Sequence, residues 1–321
     1  MYQPLVTIVI PVYNGANYLD QSIRSALEQT YTNKEIIVVN DGSDDKGATE
    51  RVARSFGNRI RYFSKSNGGV SSALNLCIDN MKGEWLSWLS HDDLYYPDKI
   101  EEEVNYIGRL LEKNPALNLK RVVVRCAAES IDINGKTILK YNYRDVPEKE
   151  AIIDTILNNV YNYRLAGCSF LLPADAFNTV GKFNEKIRTV SDAEYWYRLL
   201  FSGFDFYYLD KCLIRGRVHK SQVGKTKVST FDKEGNELHK WIADQMYFKP
   251  EYKKGKYFLR LGGYLRKRLM NDASDYAFAY ARNLSSPFEY LMVSTWYKFY
   301  FSTTGQCRNL IRSIYRKVKV K

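Results

Sequence analysis

The sequence predicts an α/β fold: a doubly wound, mostly parallel sheet with helices on both faces, followed by a helical carboxy-terminal extension. Three observations predict it. The first ninety residues alternate β-branched apolar runs with segments of helical periodicity, the pattern of repeated strand-helix-strand units. The first run, Leu5 to Val12, is apolar on both faces, as in a strand covered on both sides. Three strand ends, at 11–15, 40–43 and 90–93, carry polar or glycine-rich turns, and the carboxyl edge of an open parallel sheet is where ligands bind.

Leu5 to Val12 is the first, central strand, and Pro11-Val12-Tyr13-Asn14-Gly15 stops it. Tyr18, Leu19, Ile23, Ala26 and Leu27 then recur at helical spacing. Glu35 to Val39 is a second strand ending in Asn40-Asp41-Gly42-Ser43. Asp-Gly is also a hairpin signal, but the polar helical segment Lys46 to Phe56 follows, so a β-to-α turn is predicted. Ile60 to Phe63 makes a third strand. Asn67-Gly68-Gly69 opens a helix over Val70 to Met81 with Ala73, Leu74, Cys77 and Ile78 as its apolar face. Glu84 to Leu89 is a buried strand that runs into Asp92 and Asp93.

A helix over Lys99 to Leu111, a strand over Arg121 to Ala127 and a hairpin over Ser130 to Tyr143 around Asn134-Gly135 come next. Ile152 to Asn159 reads as helix, and Gly167 to Leu172 as a strand leading into Pro173 as a first helical residue. Ser191 is placed to cap a helix, with Glu194 three residues on completing a capping box. Phe206 to Leu209 and Leu213 to His219 read as closing strands, and the polar stretch Lys220 to Asp232 as a mobile flap.

With 321 residues the chain can bury a full core. Its net charge of +12 is uneven: residues 252–321 hold 15 basic and 3 acidic residues, leaving 33 of each before them. The five Cys show no C-x-x-C spacing, which suits a reducing cytoplasm. Met1-Tyr2-Gln3-Pro4 lacks the basic start of a secretory signal, and no run reaches the ~18 apolar residues of a membrane span.

No G-x-G-x-x-G follows the first strand, which weakens a dinucleotide-binding reading. Gly224-Lys225-Thr226 ends like a phosphate loop, but His219 stands where its first Gly belongs. The adjacent carboxylates Asp92 and Asp93, at a strand's end, are suited to a divalent cation that in turn holds phosphates. Around them the ordered set Thr7 to Asn14, Val38 to Ser43, Asn67-Gly68-Gly69, Gly83 to Asp93, Ser191 to Trp196 and Arg217-Val218-His219 resembles the inverting glycosyltransferases of family 2, whose catalytic domain has the GT-A fold, a Rossmann-like sheet. The resemblance covers about residues 3–222.

The resemblance implies a metal-assisted single displacement from a nucleotide-sugar donor, a UDP-sugar, to a hydroxyl of a glycan or lipid-linked saccharide of a bacterial surface polysaccharide. It assigns Pro11, Tyr13, Asn14, Asp41, Asn67 and Gly68 to the nucleotide, with Tyr13 packing on the base and Asp41 accepting from the uracil imide. Asp92 corresponds to the ribose-side carboxylate, and Asp93 with His219 to the ligands of a divalent metal, Mn2+ or Mg2+. Asp192 corresponds to the general base; Glu194, two residues on, is the rival. Trp196 is either an acceptor-subsite wall or a core residue. Arg215, Arg217, Lys220 and Lys225 would form a basic rim for the diphosphate. Two departures stand out: Ser90 replaces an Asp two places before Asp92, and Leu74 an Arg after the glycine turn.

A sugar-nucleotide nucleotidyltransferase would need a Gly-rich, Arg-containing loop after the first strand, and Pro11 to Asn14 do not supply one. A catalytically silent binding subunit would show damaged carboxylates, whereas Asp41, Asp92, Asp93 and Asp192 are all present. Residues 1–232 are therefore expected to form the catalytic domain and 233–321 a basic, aromatic-rich helical region. There Leu238 to Phe248 and Tyr257 to Leu269 have helical periodicity, and Phe288 to Phe301 is strongly aromatic. Basic residues interleaved with Tyr, Trp and Leu suit an anionic leaflet, which implies a cytoplasmic protein peripheral on the inner face of the plasma membrane. The aromatic tail also offers a surface for a homodimer, and no nucleic-acid module accompanies the charge.

Overall fold

Val6–Val12 forms β1, buried at every position, and it pairs in parallel with β2 (Lys34–Asp41) on one side and β4 (Trp85–Trp88) on the other. The structure, a computed structural model, describes residues 2–140, 147–149, 151–162, 167–220, 222 and 226–295. The chain divides into two compact units, Met1–Ile152 with Leu165–Val228, and Ile153–Arg164 with Ser229–Lys321.

In the first unit, α1 (Leu19–Leu27), α2 (Ala48–Arg54) and α3 (Val70–Asn80) connect β1, β2, β3 (Arg61–Lys65) and β4. The order β3-β2-β1-β4 is wholly parallel, so the chain leaves β1, β2 and β4 at one edge, as the alternation predicts. Ile8, Ile10 and Val12 pack with Leu19, Ile23 and Ala26 of α1 in the main core. Each fully buried Ile, Leu or Val among them contributes about 1.5–3 kcal/mol.

Beyond β4 the sheet becomes mixed and runs on β8-β6-β9-β5, with β7 against β6. These strands are β5 (Leu94–Tyr95), β6 (Val122–Ile131), β7 (Thr137–Lys140), β8 (Phe170–Pro173) and β9 (Asp205–Arg217). β6 and β9 are parallel, whereas β8 is antiparallel to both β4 and β6. The two closing strands expected at 206–209 and 213–219 are one strand; Asp210-Lys211-Cys212, a polar break in the sequence, is absorbed as register shifts against Cys126, Ala127 and Ala128. Pro173 ends β8 opposite Trp85, so it is not a first helical residue, and helix α6 (Asp175–Val180) follows. The β6–β7 hairpin turns at Gly135, φ +83°, with Asp132 Oδ1 accepting from Asn134 N and Lys136 N; Tyr141 to Tyr143 lie outside the described residues.

Helix α4 (Lys99–Lys113) buries Ile100, Val104, Ile107 and Leu110 along one side. It also carries a fully buried ion pair, Lys99 Nζ to Glu103 at 2.7 Å, and the same ammonium donates to Ser87 Oγ of β4 at 3.0 Å. The Tyr95 hydroxyl lies 2.8 Å from Ser87 Oγ and donates to Trp88 O at 2.6 Å. This polar chain fixes the last residues of β4, just before the Asp pair.

The second unit holds α5 (Ile152–Asn162) from Ile153 onward, then α8 (Val228–Phe248), α9 (Gly255–Lys267), α10 (Asn271–Leu284) and a helix over 287–295; α7 (Ser191–Phe201) belongs to the first. Val228 to Asp232, expected within a flap, already belongs to α8; Gly224 and Lys225 lie outside the described residues. Helices α9 and α10 pack closely: a Cβ at Gly262 would meet the Phe278 ring at 2.9 Å, and Ser274 Oγ donates to Gly262 O at 2.8 Å. The sequence does not announce α10, because its contact face is built from Ala273, Ser274, Ala277 and Ala281 around one large residue, Phe278. Residues 296–321 lie outside the described part.

Candidate active site

The turn after β1 is held to the turn after β2. Asn14 takes φ +49°, its backbone N–H donates to Ser43 Oγ at 2.9 Å, and its side-chain Oδ1 accepts from Asp44 N at 2.9 Å. Pro11 is buried within β1, whereas Tyr13 is 44 % exposed at the edge. Gly15 is needed for close approach, since a Cβ there would overlap the His91 ring. The β1 turn and the Asp-pair turn therefore touch.

Asp41 is 3 % exposed and closes the turn into α3. Its Oδ1 accepts from Lys65 Nζ and Gly68 N, both at 2.9 Å, and its Oδ2 from Gly69 N at 2.7 Å; Asn67 Nδ2 donates to its carbonyl at 2.9 Å. The carboxylate so fixes the Asn67-Gly68-Gly69 turn, in which Gly69 has φ +89°.

The Asp pair follows β4, with Ser22 Oγ of α1 donating to Asp93 O at 2.6 Å. Asp92 Oδ2 lies 2.7 Å from His219 Nε2, and the side chains of both are nearly covered, 13 % and 11 % exposed. Asp93 Oδ1 accepts from Arg217 N at 2.8 Å, and its Oδ2 from the Cys168 thiol at 3.4 Å. Burial first, and the neighbouring Asp92 charge second, push the Asp93 carboxyl up to about 7. Among the described residues no three His, Cys, Asp or Glu side chains converge as a complete metal cage. The expected ligands Asp93 and His219 are not paired: the imidazole meets Asp92, while Asp93 is held by Arg217 N and the Cys168 thiol. Carboxylate oxygens are still the donor type a hard divalent cation takes, and such a charge would relieve the penalty of ionised Asp93.

Arg217 departs from the expected rim role, and so does Arg215. Arg217 is 2 % exposed, and its guanidinium donates to Asp92 O and Ile133 O, both at 2.9 Å, and to Gln21 Oε1 at 2.8 Å, while lying 4.5 Å from the Tyr18 ring centre. It joins α1, the hairpin turn and the Asp-pair turn from beneath. Arg215 donates to Gly135 O and lies 3.4 Å from Glu129 Oε1. Lys220 is exposed, and Lys225 lies outside the described residues.

Asp192 lies in the first turn of α7, and burial raises its carboxyl above the ordinary Asp range. A Cβ at Gly167 would stand 3.2 Å from Asp192 Oδ2, and the next residue, Cys168, is the one that donates to Asp93. The capping box does not form. Val190 takes the cap position without a side-chain bond, and Glu194, the rival base, pairs with Arg198 Nε at 2.7 Å. Trp196 is fully buried, its ring 4.1 Å from that of Phe170, which makes it a core residue.

The structure ties these residues in separate pairs: Asn14 to Asp44, Asp41 to Gly68 and Asp92 to His219, while Gly15 leaves room for the His91 ring. Asp93 accepts from Cys168, whose neighbour Gly167 leaves room for Asp192 Oδ2. Cys168, Gly167 and Ser22 carried no local signal. Ser90 Oγ lies 3.0 Å from Cys168 Sγ, so the Ser that replaces the expected Asp sits against the thiol.

The family model for "Glycosyl transferase family 2" matches residues 7–116. An uncharacterized glycosyltransferase of Rickettsia felis is 45% identical over 238 residues, 74% of this chain and 38% of the relative, so the chain spans well under half of that protein's length. One from Rickettsia typhi is 44% identical over 233 residues, 72% of this chain and 69% of the relative. Among solved structures, that of S. aureus TarS 1-349 in complex with UDP superposes with a TM-score of 0.58 at 14% identity, covering 91% of each chain. That likeness concerns the fold.

Proposed function

The chain belongs to glycosyl transferase family 2, and on that premise we propose that it transfers a sugar from a UDP-sugar to an acceptor hydroxyl with inversion at the anomeric carbon. The observation that supports this reading is the closeness of two carboxylates to one short segment: Cys168 donates to Asp93 Oδ2, and a Cβ on its neighbour Gly167 would stand 3.2 Å from Asp192 Oδ2, so a phosphate-side carboxylate lies near a separate one suited to take a proton. The bound UDP of the TarS structure supports the choice of nucleotide.

In this reading Pro11, Tyr13 and Asn14 line the base, and Asp41 holds the Asn67-Gly68 turn against it. Asp92, oriented by His219, receives the ribose. Asp93 and His219 would hold a divalent cation, which supplies neutralising charge for the leaving diphosphate. The acceptor oxygen forms its bond to the anomeric carbon as the bond to the diphosphate breaks, Asp192 takes the hydroxyl proton, and UDP leaves. Desolvation suits Asp192 to this role by raising its proton affinity toward that of a working base.

The acceptor is proposed to be a glycan or lipid-linked saccharide, with residues 1–232 as the catalytic domain. In the helical region Phe288, Leu291 and Met292 are 75 %, 62 % and 58 % exposed, within a sequence holding 15 basic and 3 acidic residues over 252–321. Such a surface suits an anionic leaflet, and liposome flotation of the full chain against a 1–251 truncation tests it. No helix among the described residues is long and apolar enough to cross a membrane. The transfer itself is tested by UDP release from a panel of UDP-sugars with manganese and with EDTA: release with at least one donor, lost on chelation, is expected, and no release from any donor contradicts it.

A further inference from the structure

The ten residues between α6 (Asp175–Val180) and α7 form a strap laid along α3. At its start, Lys182 pairs with Asp79 near the end of α3, and Arg198 of α7 donates to Val180 O and, at 2.7 Å, to Lys182 O. One turn back along α3, Asn75 grips Phe183 through both backbone groups: its Nδ2 donates to Phe183 O and its Oδ1 accepts from Phe183 N, each at 3.0 Å. The same Nδ2 donates to Glu185 Oε1 at 2.8 Å. The Phe183 ring stacks 4.3 Å from Tyr195 of α7 and meets Trp88 edge-on at 6.0 Å. At the far end, the Arg188 guanidinium donates to Gly68 O and lies so close over Gly69 that a Cβ there would collide with it.

The strap therefore runs from the carboxyl half of α3 to the turn at its amino end, and four residues after Arg188 comes Asp192. A guanidinium on a carbonyl is a charge-assisted bond. Here it joins the turn that Asp41 fixes to the segment that leads into α7. Lys182, Phe183 and Glu185 are all tied to α3, and beyond them Arg188 ties the stretch that leads into α7 to Gly68.

From this geometry we infer that Arg188 is a positioning residue that couples donor occupancy at the Asn67-Gly68-Gly69 turn to the placement of Asp192. The inference rests on the donor reading above and deepens it. A nucleotide that orders the turn also orders Gly68 O, and through Arg188 it fixes the approach to α7. The base is then set for the acceptor only when the donor is present, which limits exposure of the activated sugar to water.

Hydrogen exchange of the full chain with and without UDP and manganese tests this. UDP is expected to slow exchange of the amides of residues 67–70 and, about fivefold or more, those of 189–194. Arg188→Ala is expected to keep the first effect and lose the second; Arg188→Lys, which retains a donor, restores it in part. In turnover, Arg188→Ala is expected to lower kcat about tenfold with the donor KM little changed. Protection of 67–70 with none at 189–194 overturns the coupling alone. So does Arg188→Ala that weakens UDP binding at unchanged kcat, since Arg188 would then be a direct nucleotide contact. UDP that protects neither segment overturns the donor reading, and the coupling falls with it.

Discussion

His219 Nε2 lies 2.7 Å from Asp92 Oδ2, a contact that joins positions 127 apart and closes the end of β9 onto the turn after β4. The imidazole also lies 5.4 Å from the Tyr18 ring, so its plane is held from α1's side while its nitrogen faces the carboxylate. Removing it frees Asp92. His219→Ala is expected to weaken UDP binding in the presence of manganese about tenfold by calorimetry, in the range typical of side chains that orient a metal's ligands. Unchanged affinity would show that the contact does not serve the nucleotide.

Asp192→Asn is expected to cut transfer by about 10²–10⁴, the usual share of a general base, while UDP binds as before. It also carries a stability signature. Burial raises the folded-state affinity of Asp192 for its proton, so between the unfolded value near 4 and the higher folded one the native state holds a proton that the unfolded chain has lost. Stability from this group is complete below the unfolded value and is lost as pH rises through the folded one. Asparagine has no such loss. The variant should therefore melt above the parent at pH 7, and the gap should close in mildly acidic buffer below pH ~4.

Gly167→Ala places a methyl 3.2 Å from Asp192 Oδ2 and 3.5 Å from the Trp88 ring. Both neighbours are packed, so the carboxylate must give way. We expect kcat to fall about tenfold, equivalent to about 1.4 kcal/mol, with far-ultraviolet circular dichroism unchanged. Full activity would mean that Asp192 tolerates displacement and is not the proton acceptor.

The Lys99–Glu103 pair is fully buried, and desolvation raises the Glu103 carboxyl even with the ammonium 2.7 Å away. Lys99→Met alone strands a buried carboxylate and should cost about 3–5 kcal/mol in urea unfolding. Lys99→Met with Glu103→Leu should recover most of that loss. Equal destabilisation by the single and double variants would contradict a mainly electrostatic cost.

The parallel half of the fold was legible because β1, β2 and β4 are apolar on both faces and end in turns with distinct chemistry, Asn14, Asp41 and the Asp pair. The antiparallel half was less so: β8 is four residues long, and β9 carries Asp210 and Lys211 through its middle as a register shift that mimics a turn. Candidate carboxylates could be named from their order along the chain. What holds them could not, since Arg217 meets groups at positions 21, 92 and 133, and Cys168 meets residues 90 and 93. Such partners are fixed by tertiary approach and leave no periodic trace.

The central claim is that one nucleotide diphosphate joins Asp41's turn, the Asp pair and Asp192 in a single site. Crystals of the full chain grown with UDP and manganese test it most directly through the anomalous signal of the metal. The expected result is a manganese peak within coordinating distance of Asp93, uracil against the Asn67-Gly68-Gly69 turn, and an open acceptor path to Asp192. UDP bound away from Asp93, or with its diphosphate on a side of the sheet that Asp192 does not face, would contradict it.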